Sequence, residues 1–155
     1  EVMHTKHHIV HRDLKPENLL LESKGKETIF FADFGFARKV TDAGLTTRCG
    51  TPAFVAPEII LGNAYGESVD MWSIGCILFM MLGGYPPFHT ADGSGKNLKQ
   101  LFRKIRAGDY TFHESQWKNV SPAAKSLIAR LLTVNPDYRY TAEQAMESEW
   151  VTKVD

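Results

Sequence analysis

Four polar residues near the start of this chain have the types and spacing to handle a phosphoryl group. The run His11-Arg12-Asp13-Leu14-Lys15-Pro16-Glu17-Asn18 offers a carboxylate, a primary amine and an amide in close succession, and a second carboxylate follows in Asp33-Phe34-Gly35. Phosphoryl transfer asks a protein for in-line positioning, charge neutralisation and a place for the hydroxyl proton. Asp13 fits the base, since a carboxylate can orient an attacking Ser or Thr hydroxyl and accept its proton late. Lys15 reaches the same side and can neutralise a γ-phosphate. Asn18 offers a neutral carbonyl oxygen, and Asp33 a carboxylate, to a hard cation such as Mg²⁺. One amide and one acid suit a site already crowded with phosphate charge, where a further carboxylate adds repulsion.

Positioning these groups falls to a loop and a hairpin. A helix end at Glu1–His8 leads into a loop at Ile9–Asn18. Two short strands follow, Leu19–Glu22 and Thr28–Ala32, joined by the turn formers Ser23-Lys24-Gly25-Lys26. The polar segment from Arg38 to Arg48 reads as a loop. Ser68–Gly83 is the central apolar helix; its core from Met71 to Leu82 is too short to span a bilayer. Apolar residues at 98, 101, 102 and 105 predict an amphipathic helix over Leu98–Ala107. Ser121-Pro122 opens a helix through Leu132, and Thr141 with Gln144 forms a capping box for the last one. The polar insert Ala91–Lys99 is expected to be a mobile loop.

Composition narrows the classes. At 155 residues the chain is one domain, 1–155, able to bury about two-thirds of its unfolded surface. Hydrophobic residues make up 43%, too many for disorder. Lys+Arg and Asp+Glu balance at 18 each, so no net field argues for nucleic acid or a membrane as partner. Cys49 and Cys76 make no C-x-x-C pair and point to a reducing compartment. Gly93-Ser94-Gly95-Lys96 mimics a phosphate loop but has Thr90 where the leading glycine belongs and Asn97 where Ser or Thr should follow the lysine. His4, His7, His8 and His11 share a helix face, yet no acidic or thiol ligand accompanies them to hold a metal.

With Asp33-Phe34-Gly35, the run Gly50-Thr51-Pro52 through Ala56-Pro57-Glu58, Asp70-x-Trp72-Ser73-x-Gly75 and Arg139, the loop motif completes a kinase signature in order and spacing. Over essentially all its length the chain resembles the C-terminal lobe of a serine/threonine protein kinase, nearest the calcium/calmodulin-dependent and MAPK-activated group. The resemblance implies a mainly α fold with a small β-hairpin at the catalytic cleft (α+β overall). It also implies that the N-lobe is absent, since only ten residues precede the loop and none forms a Gly-rich loop or strand-borne lysine. The chain is therefore expected to be a fragment.

The roles carried over are these. Asp13, Lys15, Asn18 and Thr51 are implied as catalytic, Thr51 being the threonine that bonds Asp13 and Lys15 and marks hydroxyl-residue substrates. ATP contacts are implied for Lys15, Glu17, Asn18, Leu20 and Asp33, with Mg²⁺ on Asn18 and Asp33. Leu20 would lie beneath the adenine, with Ile77 and Met81 continuing its apolar column. Structural roles are implied for His11 with Phe34 in a packed spine, for Asp70 on the catalytic-loop backbone, and for the ion pair Glu58–Arg139. Thr47 is the implied regulatory phosphosite, with Arg12 and Arg38 as its clamp, which makes an upstream activating kinase a partner. Protein substrates with Ser or Thr and basic residues upstream are expected, read in part by Glu17. Met80 stands where some basophilic relatives carry a carboxylate, and Pro52 and Val55 would line an apolar pocket after the target residue. Calmodulin enters by family analogy alone, and the location expected is cytoplasmic or nuclear. Two readings stay open: a phosphotransferase whose isolated fragment is inactive, or a truncated kinase or pseudokinase acting as a non-catalytic interaction module.

Overall fold

A computed structural model describes residues 1–23, 25, 28–90 and 97–153. In chain order the elements are α1 (Val2–Thr5), β1 (Ile9–Val10), β2 (Leu19–Leu21), β3 (Ile29–Phe31) and β4 (Arg38–Lys39). Then come α2 (Pro57–Leu61), α3 (Ser68–Gly83), α4 (Leu98–Ala107), α5 (Glu114–Trp117), α6 (Pro122–Leu131), α7 (Ala142–Met146) and α8 (Glu149–Thr152). Short 3-10 helices at Pro16–Asn18, Phe34–Phe36, Pro52–Phe54 and Pro136–Tyr138 link them. The protein is mainly helical, with two small antiparallel sheets, β1–β4 and β2–β3.

Helix α3 is apolar on almost every side because almost every side is covered. Val69, Met71, Trp72, Cys76, Ile77 and Phe79 are all buried. Its packing against α6 requires Gly75, where a Cβ would sit 2.9 Å from both Leu131 Cβ and Leu132 Cδ2. Beyond the C-terminal end of α3, Tyr85, Tyr110, Phe112 and Trp117 surround Phe79. Among the described residues, no helix is long and apolar enough to cross a membrane.

The helix-cap expectations hold for local chemical reasons. Ser121 Oγ accepts from Ala124 N, with Pro122 at the first helical position of α6, although α6 ends one residue early at Leu131. Thr141 and Gln144 form the reciprocal capping box of α7. The sequence reading makes that helix the last, but α8 follows it. The chain turns at Glu147–Ser148, where Ser148 is extended and begins α8, which carries Trp150 onto the core. The Arg38–Arg48 segment is also not all loop. Arg38 pairs with Val10 and Lys39 with Ile9, so its first two residues close a sheet over the start of the catalytic loop. A two-residue polar strand has no alternation to detect. In the β2–β3 turn, Lys24 and Lys26 lie outside the described residues, as do residues 91–96 and with them Gly93-Ser94-Gly95-Lys96. Leu98 and Lys99, placed with that polar insert, already belong to α4, which Asn97 caps by accepting from Gln100 N.

Candidate active site

Asp13 is 5% exposed, and its carboxylate is held by three groups. Thr51 donates to Oδ1 from its backbone N and from Oγ1, both at 2.8 Å. Lys15 Nζ donates to Oδ2 at 2.8 Å and to Thr51 Oγ1 at 3.1 Å. Burial alone would raise the Asp13 carboxyl, but the hydrogen bonds from Lys15 and Thr51 and the lysine's charge together hold it below the usual carboxylate range. The same bond raises Lys15 above the ordinary lysine value. The two residues thus keep each other ionised. Asn18 Nδ2 donates to Asp13 O at 2.9 Å, which fixes the amide and leaves its carbonyl oxygen as the remaining side-chain acceptor.

The hairpin brings Asp33 to this group. Leu19 pairs with Phe31, and Ala32 N donates to Asn18 O at 2.9 Å, so Asp33 is next after a residue bonded to Asn18. Asp33 itself is exposed and holds a left-handed backbone (φ 58) while its carboxylate accepts from Gly35 N. His11 ties the two segments from below. Its Nε2 donates to Ala32 O at 2.9 Å and its ring lies 5.0 Å from that of Phe34. The implied His11–Phe34 contact is present, but Phe34 remains 50% exposed on its other side.

The loop takes its shape from helix α3. Asp70, 1% exposed, accepts from His11 N at 2.8 Å and from Arg12 N at 2.9 Å. Arg12 has φ 71, a conformation costly for a side-chain-bearing residue, and the carboxylate holds its amide in place. Gly50 packs beneath it at φ 103, where a Cβ would lie 2.8 Å from Arg12 O. A third donor to Asp70, His4 Nε2 at 2.9 Å, comes from α1. Sequence reasoning had placed His4 only in a histidine cluster. Among the described residues, no group of three or more His, Cys, Asp or Glu could hold a metal ion.

Glu58 and Arg139 form the expected ion pair, with Nη1–Oε1 at 2.6 Å and Nη2–Oε2 at 3.0 Å. Arg139 also donates to the carbonyls of Thr133, Val134 and Ser68, so all five of its N–H groups are used.

Other expectations are met less fully. Arg12 reaches toward Thr47, but through Tyr65. Arg38 does not complete a clamp: its exposed guanidinium donates to the neighbouring Ala37 O, because β4 holds it beside the catalytic loop. Leu20 is 52% exposed on the hairpin, and Met81, at 70%, lies with Ile77 along a groove of about 670 Å³ that also reaches His11, Leu14 and Phe31. Glu17 is exposed on the 3-10 turn after Lys15. Tyr65 was missed altogether, since no motif marks it.

The sequence pattern of the protein kinase domain family matches residues 1–151, and the chain belongs to that family. A probable myosin light chain kinase of Dictyostelium discoideum is 47% identical over 149 residues, covering 95% of this chain and 41% of that protein. The human serine/threonine-protein kinase DCLK3 is 46% identical over 151 residues, covering 96% of this chain and 22% of its own. Calcium/calmodulin-dependent protein kinase type 1 of Caenorhabditis briggsae is 41% identical over 145 residues, 93% of this chain and 39% of that one. The chain thus spans about two-fifths or less of the length of these relatives.

Proposed function

We propose that this chain supplies the catalytic loop, the metal-binding side chains and the substrate platform of an ATP-dependent serine/threonine protein kinase. The observation that carries this reading is the Asp13–Lys15–Thr51 triangle, which holds a buried carboxylate ionised and fixed in direction. Asp13 receives the proton of the substrate hydroxyl. Lys15 sits beside it as a cation for the transferred charge, and Thr51 links both to the segment that bears the peptide. Asn18 and Asp33 are hard oxygen donors of low total charge, which suits Mg²⁺ between phosphates. Bound there, MgATP supplies the phosphoryl group and the metal offsets its charge.

Exposed Glu17 and the Pro52–Val55 segment support a protein substrate with a basic residue before the target and an apolar one after it. Exposed Thr47 supports regulation by an activating kinase, and likeness to a calmodulin-dependent relative supports calmodulin as a partner by analogy. The free thiols of Cys49 and Cys76 support a reducing, cytoplasmic or nuclear location. The isolated chain does not turn over ATP, because among the described residues Leu20, Asp33 and Phe34 stand exposed, without a cover that would fix a nucleotide against them.

The test is a chimera in which this chain replaces the matching segment of a calmodulin-dependent relative. Phosphorylation of a Ser/Thr peptide library, abolished by Asp13→Asn and by Asp33→Asn, is the expected result. A folded chimera without activity overturns the reading.

A further inference from the structure

We infer that Tyr65 is a positioning residue for this reaction, its phenol joining the catalytic loop to the segment that carries Thr47. The phenol oxygen accepts from Arg12 Nη1 at 3.1 Å and donates to Thr47 O at 2.6 Å. The role rests on the kinase reading; the tie itself does not.

The tie is built from three directions. Tyr65 lies between α2 and α3 and is 5% exposed, its ring packed in the main core. Its backbone pairs with Leu45 in both senses, each N donating to the other's carbonyl at 2.9 Å, so the segment before Thr47 is pinned to the same residue. Arg12, at the far side of the phenol, is anchored at two further points. Its Nε donates to Phe36 O at 2.6 Å, and its amide is held by Asp70. Arg12 precedes Asp13, so a short path of hydrogen bonds and one peptide unit runs from the Thr47 carbonyl to the base.

A phenol suits this place because it has one proton to give and lone pairs to receive with, and both are used. Burial raises its pKa, more than the neighbouring guanidinium lowers it, so the hydroxyl keeps its proton through the working range and the tie is constant in pH. Phenylalanine would fill the same core volume and make neither bond. The segment is thereby held near its working place with no phosphate on Thr47. A phosphate there would give the Arg12 guanidinium an anionic partner beside the phenol, so phosphorylation adds to a segment already held and does not order a free loop.

The experiment is amide hydrogen exchange on the chain and its Tyr65→Phe variant, read separately for residues 41–51 and for α6. The expected result is exchange about tenfold faster in 41–51, with α6 unchanged. Arg12→Lys in the Tyr65→Phe background should add less than it does alone, because both changes break one link. Unchanged exchange in 41–51, or an equal rise in α6, overturns the proposal, the second outcome making Tyr65 a packing residue only. In the active chimera, Tyr65→Phe should lower kcat about tenfold, with KM for ATP and peptide within about twofold. An unchanged kcat there also overturns it. If the chimera is inactive while exchange in 41–51 rises alone, the tie stands, and it is the kinase reading, and with it the catalytic role of Tyr65, that has failed.

Discussion

The two sides of the catalytic loop are built on opposite terms. On the α3 side, Asp70 and Arg139 are buried and fully partnered: Asp70 takes three donors, and Arg139 spends all five of its N–H groups. On the hairpin side, Leu20, Leu21, Ile29, Phe30, Phe31, Phe34 and Phe36 are exposed, and Asp33 stands in the open with them. The first side trades reactivity for fixed position. The second keeps apolar surface and an exposed carboxylate bonded to the nearby Gly35 amide. Asp13 belongs to both: it is buried like the anchors, yet set by Lys15 and Thr51 for chemistry.

The strongest way to break this contrast is Arg139→Ala. Removing one partner strands Glu58 as a buried charge, so denaturant unfolding should show a loss of about 3–5 kcal/mol. A loss under about 1 kcal/mol would place the pair among surface bridges and dissolve the distinction. Asp70→Asn should cost less, about 1.5–3 kcal/mol, since the amide keeps one acceptor but turns N–H toward a backbone N–H. The same variant should speed exchange at the Arg12 amide before it affects α6.

A third test uses pH. Asp13 has its pKa depressed in the folded state, so its stabilising contribution is present above the unfolded carboxylate value and lost as pH falls through the lower folded one. Lys15, raised, contributes below its unfolded value and loses that contribution as pH rises through the higher folded one. Stability of the pair should therefore be flat across neutral pH. In Asp13→Asn the acid limb of the stability profile should shrink, and a profile identical to wild type would mean the carboxylate is not what the loop rests on. The smallest effect is expected from Leu20→Ser with Phe30→Ser. Each side chain is half in water already, so stability should stay within about 0.5 kcal/mol per site while solubility on concentration improves. A large loss would show that the hairpin is packed and not open.

What the sequence made legible follows from how each contact is encoded. The site was readable because Asp13, Lys15 and Asn18 sit within one loop, where spacing is geometry. Helices α3, α4, α6 and α7 were readable from caps and from apolar pattern. Tyr65 was not, because its partners Arg12 and Thr47 lie 53 and 18 residues away and nothing local distinguishes its hydroxyl from that of a surface tyrosine. The bond from His4 was missed for a similar reason: its partner Asp70 is 66 residues distant. Arg38 was expected beside Thr47 because the family resemblance implied a two-arginine clamp. The strand that holds Arg38 elsewhere is only two residues long and leaves no periodic trace.

The Glu58–Arg139 pair joins residues 81 positions apart. A ribosome adding ~5–20 residues per second needs roughly 4–16 s to travel that distance. Through that interval the nascent chain already contains the whole catalytic loop and the Pro57–Leu61 helix, but Glu58 has no counter-ion. The segment that carries Thr51 can therefore lock onto Asp13 for good only near the end of synthesis of this domain. A message broken before codon 139 would release a chain with Asp13, Lys15 and Thr51 already made and Glu58 unpaired. Such a product should go to the quality-control machinery.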